Sequence, residues 1–463
     1  MNRSVAFAVL LTVGFLVSDG RGRASDCGKL PGPCPQEATG NVPEVFHNQR
    51  PVPLSTLVSH IDAHQTEAVA LLERVVNINS GTQNHEGVRQ VGAVFRAELD
   101  ALGFETRWVD GAAWQRAGHL VASHPGTSPK ILLIGHLDTV FERDSPFQRF
   151  ERLDANTARG PGIIDMKGGD VVIIYALKAL KAAGLLDAMN VHVVMTGDEE
   201  DAGRPLTVAR EALVAAAKGA AYAIGFEDGD GDPSHAVVAR RGTTSWWLTV
   251  QGTTGHSSQI FGPDLGAGAI FETARILNGF RERLAGQPHL TFNPGVIVGG
   301  TAVDADLGQG RGTASGKTNV VAARTMVAGD LRALTIDQFD QAKATMRAVV
   351  AASLPRTKAD ITFDDGYPPL APTAGNEQLL VMYDRASRDL GLGAVEAVNP
   401  DRAGAADVSF IAAHVPMIID AVGLKGRDDH SPSETADLRT LAVQTKRAAV
   451  LLARLAQGKL AEQ

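Results

Sequence analysis

The sequence predicts an α/β protein with a mixed sheet and helices on both faces. A smaller α+β domain is inserted into the larger one. Three observations carry this expectation. Strand-like and helix-like segments alternate up to about residue 238, the pattern of strand–helix units around a sheet. Near Arg241 the order changes to strand, helix, strand, strand, helix, strand, which is that of a ferredoxin-like two-layer domain. After about residue 367 the first style resumes. A chain of 463 residues also exceeds one core of ordinary size, so two domains are the natural expectation.

Taken in order, residues 1–24 read as a signal peptide. Arg3 gives the positive start, Val5 to Val17 the apolar run, and Gly22-Arg23-Ala24-Ser25 the small residues for cleavage. The run is too short to span a bilayer, so export with removal is expected, to the periplasm or outside the cell. Cleavage after Ala24 removes three arginines and Asp19, leaving a chain more acidic than its present net charge of −8. Residues 25–50 read as an extended leader rich in Pro, Gly and Asn. It holds the two cysteines, Cys27 and Cys34, which could close a small disulfide loop in an oxidising compartment. No second apolar stretch of membrane length follows. The acidic balance without a basic run excludes a nucleic-acid footprint.

The first part of the larger domain is expected over 51–240. Ala68, Val69, Leu71, Leu72 and Val75 recur at helix spacing within His64–Val76, and Val88–Leu102 is a second amphipathic helix. The inserted domain is expected over 241–367. Its strands are read at Thr243–Val250, Gly295–Val298, Val320–Leu331 and Ile361–Phe363, its helices at Pro263–Leu284 and Ile336–Ala352. The larger domain resumes over 368–463 with a helix at Glu377–Leu390, a strand at Pro416–Ala421 and a final helix at Leu438–Leu455.

Chemistry concentrates where apolar strands end. Ile131–Ile134 runs into Gly135-His136-Leu137-Asp138. Val191–Thr196 runs into Gly197-Asp198-Glu199-Glu200-Asp201. Ala221–Phe226 runs into Glu227-Asp228, and Met417–Ile419 leads to Asp428-Asp429-His430. Open α/β sheets bind ligands outside the carboxyl ends of their strands. Carboxylates gathered there repel one another unless protonated or bridged by a cation, so a metal site is the economical reading. A glycine-rich loop, Arg159 to Gly169, carries Asp165 into an apolar helix read at Val171–Leu186. It lacks both phosphate-loop spacings, GxxxxGK[ST] and GxGxxG, so a bridging metal ligand suits it better. Read singly, each fragment has a plain alternative: a structural histidine, a solvated acidic turn, a loop histidine. Their joint occurrence at strand ends argues for a site.

The ordered motifs GHLDTV, RGPGIIDMKGG, GDEEDAG, GFED and DDHS resemble the glutamate carboxypeptidase and aminoacylase-type di-zinc peptidases. Acetylornithine deacetylase and succinyl-diaminopimelate desuccinylase belong to the same group. The resemblance covers roughly residues 60 to 455. It implies a zinc-peptidase catalytic domain with an inserted lid that also dimerises, and two zinc ions per chain, with cobalt or manganese as substitutes. Asp165 would bridge the ions, His136 and Glu227 would complete one site, and Glu200 and His430 the other. Glu199 would be the general base, and Asp138 would hydrogen-bond His136. The expected reaction is hydrolysis of an amide bond in a small peptide or an N-acyl amino acid with a free carboxylate. An N-acyl-amino-acid deacylase is the near alternative, and a non-catalytic binding protein on the same scaffold the remote one.

The resemblance also implies roles in the lid. His256, in Gly255-His256-Ser257-Ser258, would reach a partner subunit's site and stabilise an oxyanion. Asn319 and Arg332 would hold the substrate's carboxylate, and the Gly404 backbone would approach the substrate. One departure matters. Relatives that prefer a C-terminal glutamate carry basic residues where this chain reads Asp228-Gly229-Asp230-Gly231-Asp232 and Asp364-Asp365. His235, Arg240 and Arg241 are the candidate replacements.

Overall fold

The computed structural model describes residues 53–458, so the expected signal peptide, leader and cysteines lie outside the described residues. Among the described residues, the larger sheet has six strands. In space they run Glu105–Asp110, Gly118–His124, Val191–Thr196, Ile131–His136, Tyr222–Gly225, Ile418–Ile419. The last four are mutually parallel, and the first two are antiparallel additions at one edge. This is the expected mixed sheet.

Ile131–His136 is central and every residue of it is buried. A strand covered on both faces reads as a continuous apolar run, as this one does. Its side chains still alternate. Ile131 and Leu133 join the core under the helices Gly168–Ala182 and Arg439–Gln457, whereas Leu132 and Ile134 join a second core with Leu213, Ala216 and Ile411. The helix Gly168–Ala182 is buried nearly all round and packs on Leu54–Ala63 and Arg439–Gln457. His85–Leu102 starts at Asn84, whose side chain accepts from the Gly87 amide. It stops at Gly103, which takes the left-handed conformation (φ 95°).

The second sheet has four antiparallel strands among the described residues, ordered Thr291–Gly300, Arg324–Ala333, Gly242–Gly252, Thr357–Asp365. Helices Gly268–Leu284 and Ile336–Ala351 pack against it, and Trp246, Leu248, Ile276, Phe280, Val327 and Met346 fill the space between. Trp246 meets Phe280 edge-on at 5.9 Å, and its Nε1 donates to the Asp330 carbonyl at 3.0 Å.

Several expected bounds move. The helix expected from Pro263 begins at Gly268. Thr357–Asp365 is longer than the apolar core Ile361–Phe363, because polar residues alternate outward along an edge strand. Of the strand expected over Pro416–Ala421, Ile418–Ile419 pairs in the sheet and Asp420 bridges Val237. A hairpin, Ala302–Asp306 with Arg311–Ser315, was not expected. It lies mostly exposed, so it carries no apolar pattern to read.

His119 sits on the strand Gly118–His124, fully buried. Its Nδ1 accepts from the Gly197 amide at 3.2 Å, and its Nε2 donates to the Ala209 carbonyl at 2.7 Å. That pairing suits the neutral ring. Burial, helped by the Arg210 charge, lowers its pKa to about 4. The unfolded chain takes up this proton near its ordinary value, so stability is lost as pH falls from about 6.5 to about 4. The loss is on the order of 3 kcal/mol. Denaturant unfolding at pH 7 and pH 4.5 should therefore show a smaller acid loss for His119→Gln than for wild type. In a second test, Trp246→Ala should lower stability by about 3–5 kcal/mol, read as an earlier unfolding midpoint.

Candidate metal centre

Because the four parallel strands share a direction, their carboxyl ends open on one edge. His136 closes the central strand. The neighbours deliver Gly197–Glu200 on one side and Phe226-Glu227 on the other. Asp165 rises between them from the tight turn Ile163–Lys167, where its own backbone leaves helical geometry.

Distances define the cluster. His136 Nε2 lies 3.0 Å from Asp165 Oδ1 and 3.6 Å from Glu227 Oε1. His430 Nε2 lies 2.9 Å from Asp165 Oδ2 and 3.1 Å from Glu200 Oε2. Asp165 thus offers one oxygen to each imidazole. Donor atoms of His136, Asp165 and Glu227 all fall within 4.8 Å of one another, and so do those of Asp165, Asp429 and His430. These two groups share Asp165. Asp429 was not singled out from the sequence. It stands between Asp428 and His430, both left-handed in φ (62° and 56°), a conformation that side chains with a Cβ adopt at some cost.

Asp138 meets His136 through both its backbone and its carboxylate. His136 Nδ1 donates to the Asp138 backbone carbonyl at 3.1 Å, and the carboxylate is 3.5 Å away. The carbonyl thus sets the tautomer and leaves Nε2 free to face the cluster. The Asp138 carboxylate also accepts from the Thr82 hydroxyl (2.6 Å) and the amides of Glu199 (3.0 Å) and Glu200 (3.1 Å). It ties the first strand end to the second.

Glu434 does similar work for Asp165. Fully buried, it accepts from the amides of Gly162 (2.9 Å), Ile164 (2.9 Å) and Asp165 (3.3 Å). Sequence reading missed it. The one signal was its place four residues after His430, at a turn, where a carboxylate could pin a second loop.

Electrostatics test whether cations fit. Burial opposes charge on His136, yet Glu227, Asp138 and Asp165 raise it well above its ordinary value. Hydrogen bonds to Asp165 and Glu200 carry His430 to about 11. Burial pushes Glu199 well up, and burial with the Asp165 charge pushes Glu200 to about 8. Burial would raise Asp165 too, but the two imidazoles hold it below the usual carboxylate range. The edge is therefore short of positive charge and can balance itself only by taking up protons. Glu200 Oε1 is also buried without a hydrogen-bond partner. Imidazole nitrogen and carboxylate oxygen are zinc donors, so this set fits two divalent cations sharing Asp165.

The expected lid residues and Gly404 of the larger domain stand apart from this cluster in their contacts. His256 is exposed, and its Nδ1 meets the Ser258 hydroxyl at 2.8 Å. Asn319 is exposed, its carbonyl accepting from the Ser257 amide. Arg332 Nε pairs with Asp330 at 3.1 Å. Gly404 faces open space, and its carbonyl accepts from Arg240 Nη1 at 2.8 Å.

Comparison with known proteins agrees with this architecture. The family described as peptidase family M20/M25/M40 matches residues 132–454. Carboxypeptidase G2 of Pseudomonas sp. (strain RS-16) is 26% identical over 402 residues, covering 85% of this chain and 91% of its own. The aminopeptidase PepT of Bacillus cereus ATCC 10987 superposes with a TM-score of 0.69 at 20% identity, over 85% of this chain and 99% of that one. The YxeP protein of Bacillus subtilis, described as a dinuclear metal binding peptidase, gives a TM-score of 0.59 at 15% identity, over 85% and 99%. With its matched span, its two-part fold and its shared-carboxylate cluster in agreement, the chain belongs to peptidase family M20/M25/M40.

Proposed function

We propose that this protein hydrolyses an amide bond in a small peptide or an N-acyl amino acid bearing a free carboxylate. His136, Asp165 and Glu227 would hold one zinc ion, and Asp165, Glu200 and His430 the other. The observation that carries the reading is the Asp165 carboxylate, with one oxygen 3.0 Å from His136 and the other 2.9 Å from His430. Cobalt or manganese could occupy the same donors. When bound, such ions polarise a scissile carbonyl and make water acidic enough to attack near neutral pH.

Glu199 is the general base in this reading. It takes the attacking water's proton and passes it to the leaving amine. Asp138 holds the Glu199 amide in place at 3.0 Å. Asn319 and Arg332 would bind the substrate carboxylate, and Gly404 would lie along the substrate. His256 would serve a partner subunit's site in a homodimer formed through the inserted domain. Its exposure supports this, as do the exposed apolar side chains Phe261, Ile270, Phe271 and Ile297 on the same domain. Export rests on the N-terminal sequence. Among the described residues no helix is long and apolar enough to cross a membrane.

The residue released is not assigned as glutamate. Arg240 is engaged by Asp420 and the Gly404 carbonyl, Arg241 by Thr291 and Asp401, and His235 by Asp230. Each candidate cation is already paired within the protein. A panel of dipeptides, folate-type glutamates and N-acyl amino acids, offered to zinc-loaded protein, separates the readings. Cleavage confined to N-acyl amino acids would make the protein a deacylase.

Mutations test the roles. Glu199→Ala should lower kcat by about a hundredfold or more while metal analysis still finds both ions. Asp165→Ala should lose metal and turnover together. Near-normal rates in Glu199→Ala would remove Glu199 from the role of base. A chelator should abolish activity, and added zinc should restore it.

A further inference from the structure

Two segments carry the chain between the metal-centre sheet and the inserted domain, and they pair with each other. Arg240 and Leu370 exchange backbone hydrogen bonds of 2.9 and 3.0 Å, and the Thr243 amide donates to the Tyr367 carbonyl at 2.9 Å. The Tyr367 amide returns a bond to the Thr243 hydroxyl at 3.2 Å. From this paired hinge, side chains reach both walls of the site.

On the outgoing segment, Arg240 Nε donates to Asp420 Oδ2 at 2.8 Å. Asp420 Oδ1 in turn accepts from the Glu227 amide at 3.4 Å. On the returning segment, the Tyr367 hydroxyl donates to the Glu199 carbonyl at 2.6 Å. The same hydroxyl accepts from Arg210 Nη2 at 2.9 Å. Arg210 is 1% exposed. Its Nη2 also donates to the Asp198 carbonyl (3.0 Å), its Nη1 to Asp198 Oδ1 (2.6 Å) and its Nε to Asp407 Oδ1 (2.7 Å). Asp407 is itself held by the Thr196 hydroxyl at 2.5 Å.

The peptide groups flanking Glu199 are thus secured from three sides. Asp138 takes its amide, Tyr367 its carbonyl, and Arg210 the carbonyl before it. Charge-assisted bonds in a dry network are short and stiff. The Phe410 ring lies 4.8 Å from that of Tyr367 and supports the ring apart from its hydroxyl. Removing the hydroxyl alone should therefore free the Glu199 carbonyl without emptying the packing.

We propose that Tyr367 is a positioning residue for Glu199, acting through the Glu199 carbonyl, and that the paired hinge thereby links the stance of the inserted domain to the placement of the base. The proposal rests on the reading of Glu199 as general base. Misplacement of a reacting group by about 1 Å costs on the order of a hundredfold in rate. A loosened loop should cost less than that and should spare substrate affinity.

The test compares Tyr367→Phe with Tyr383→Phe, both zinc-loaded. Tyr383 is a buried tyrosine of the helix Ala374–Asp389 whose hydroxyl bonds Gln444 at 3.4 Å, so it controls for loss of a buried hydroxyl. Tyr367→Phe should lower kcat about tenfold with KM within about twofold and metal content unchanged. Tyr383→Phe should leave both constants at wild-type values. Hydrogen exchange read on the amides of residues 198–203 should speed up in Tyr367→Phe and not in the control. Unchanged exchange in that segment overturns the tie, whether or not any substrate is cleaved. A fall in melting temperature with kcat and KM unchanged overturns the positioning role and leaves a structural bond. If zinc-loaded wild-type protein cleaves nothing in the panel, the reading of Glu199 as base falls, and the catalytic part of the proposal with it.

Discussion

One carboxylate stands between two imidazoles, and much of the molecule is arranged to keep it there. Asp165 leaves a turn whose amides are gripped by Glu434, a residue far along the chain. Its two oxygens face His136, at the end of the central strand, and His430, on a loop from the last part of the chain. A carboxylate so placed needs positive charge on both sides. Protons on the imidazoles can supply it, and so can two divalent cations. Burial first, and the neighbouring carboxylate charges after it, raise the pKa values of Glu199, Glu200 and Glu227.

The parallel sheet makes this concentration of charge stable. Burial of Ile131–Ile134 and of the helix Gly168–Ala182 gives a stiff floor that does not relax when acidic groups repel above it. Around the rim, each loop end is tied to another through a buried polar group. Asp138 joins the His136 end to the Glu199 loop. Asp420 joins the Glu227 loop to Arg240, and Arg210 joins Asp198 to Asp407. Such networks are expensive when half made and rigid when complete. Functional groups must be held to within about 0.5 Å of their working geometry, and such networks are the means of holding them.

The inserted domain enters this scheme at its hinge. Its own core, built on Trp246 and Phe280, is separate from the sheet that holds the cluster. Its contact with the chemistry runs through Tyr367 and Arg240, which touch backbone and supporting groups of the site. A domain connected in this way stays in register with the Glu199 loop.

The sequence by itself determined the α/β class, the insertion near Arg241, and His136, Glu199, Glu200 and Glu227 as strand-end groups. Each follows from a local pattern, since an apolar run and the polar residues ending it are neighbours in the chain. Asp165 and His430 were legible from their glycine loop and DDH motif, but their meeting was not, because 265 positions separate them. Tertiary structure alone decided that Asp429 joins the second donor group, that Glu434 holds the Asp165 turn, and that Arg210 and Tyr367 brace the Glu199 loop. Hydrogen bonds between distant segments have no period and no composition, so they leave no trace along the chain. The hairpin at Ala302–Ser315 escaped for a related reason: it lies mostly exposed, and burial is what writes a readable pattern.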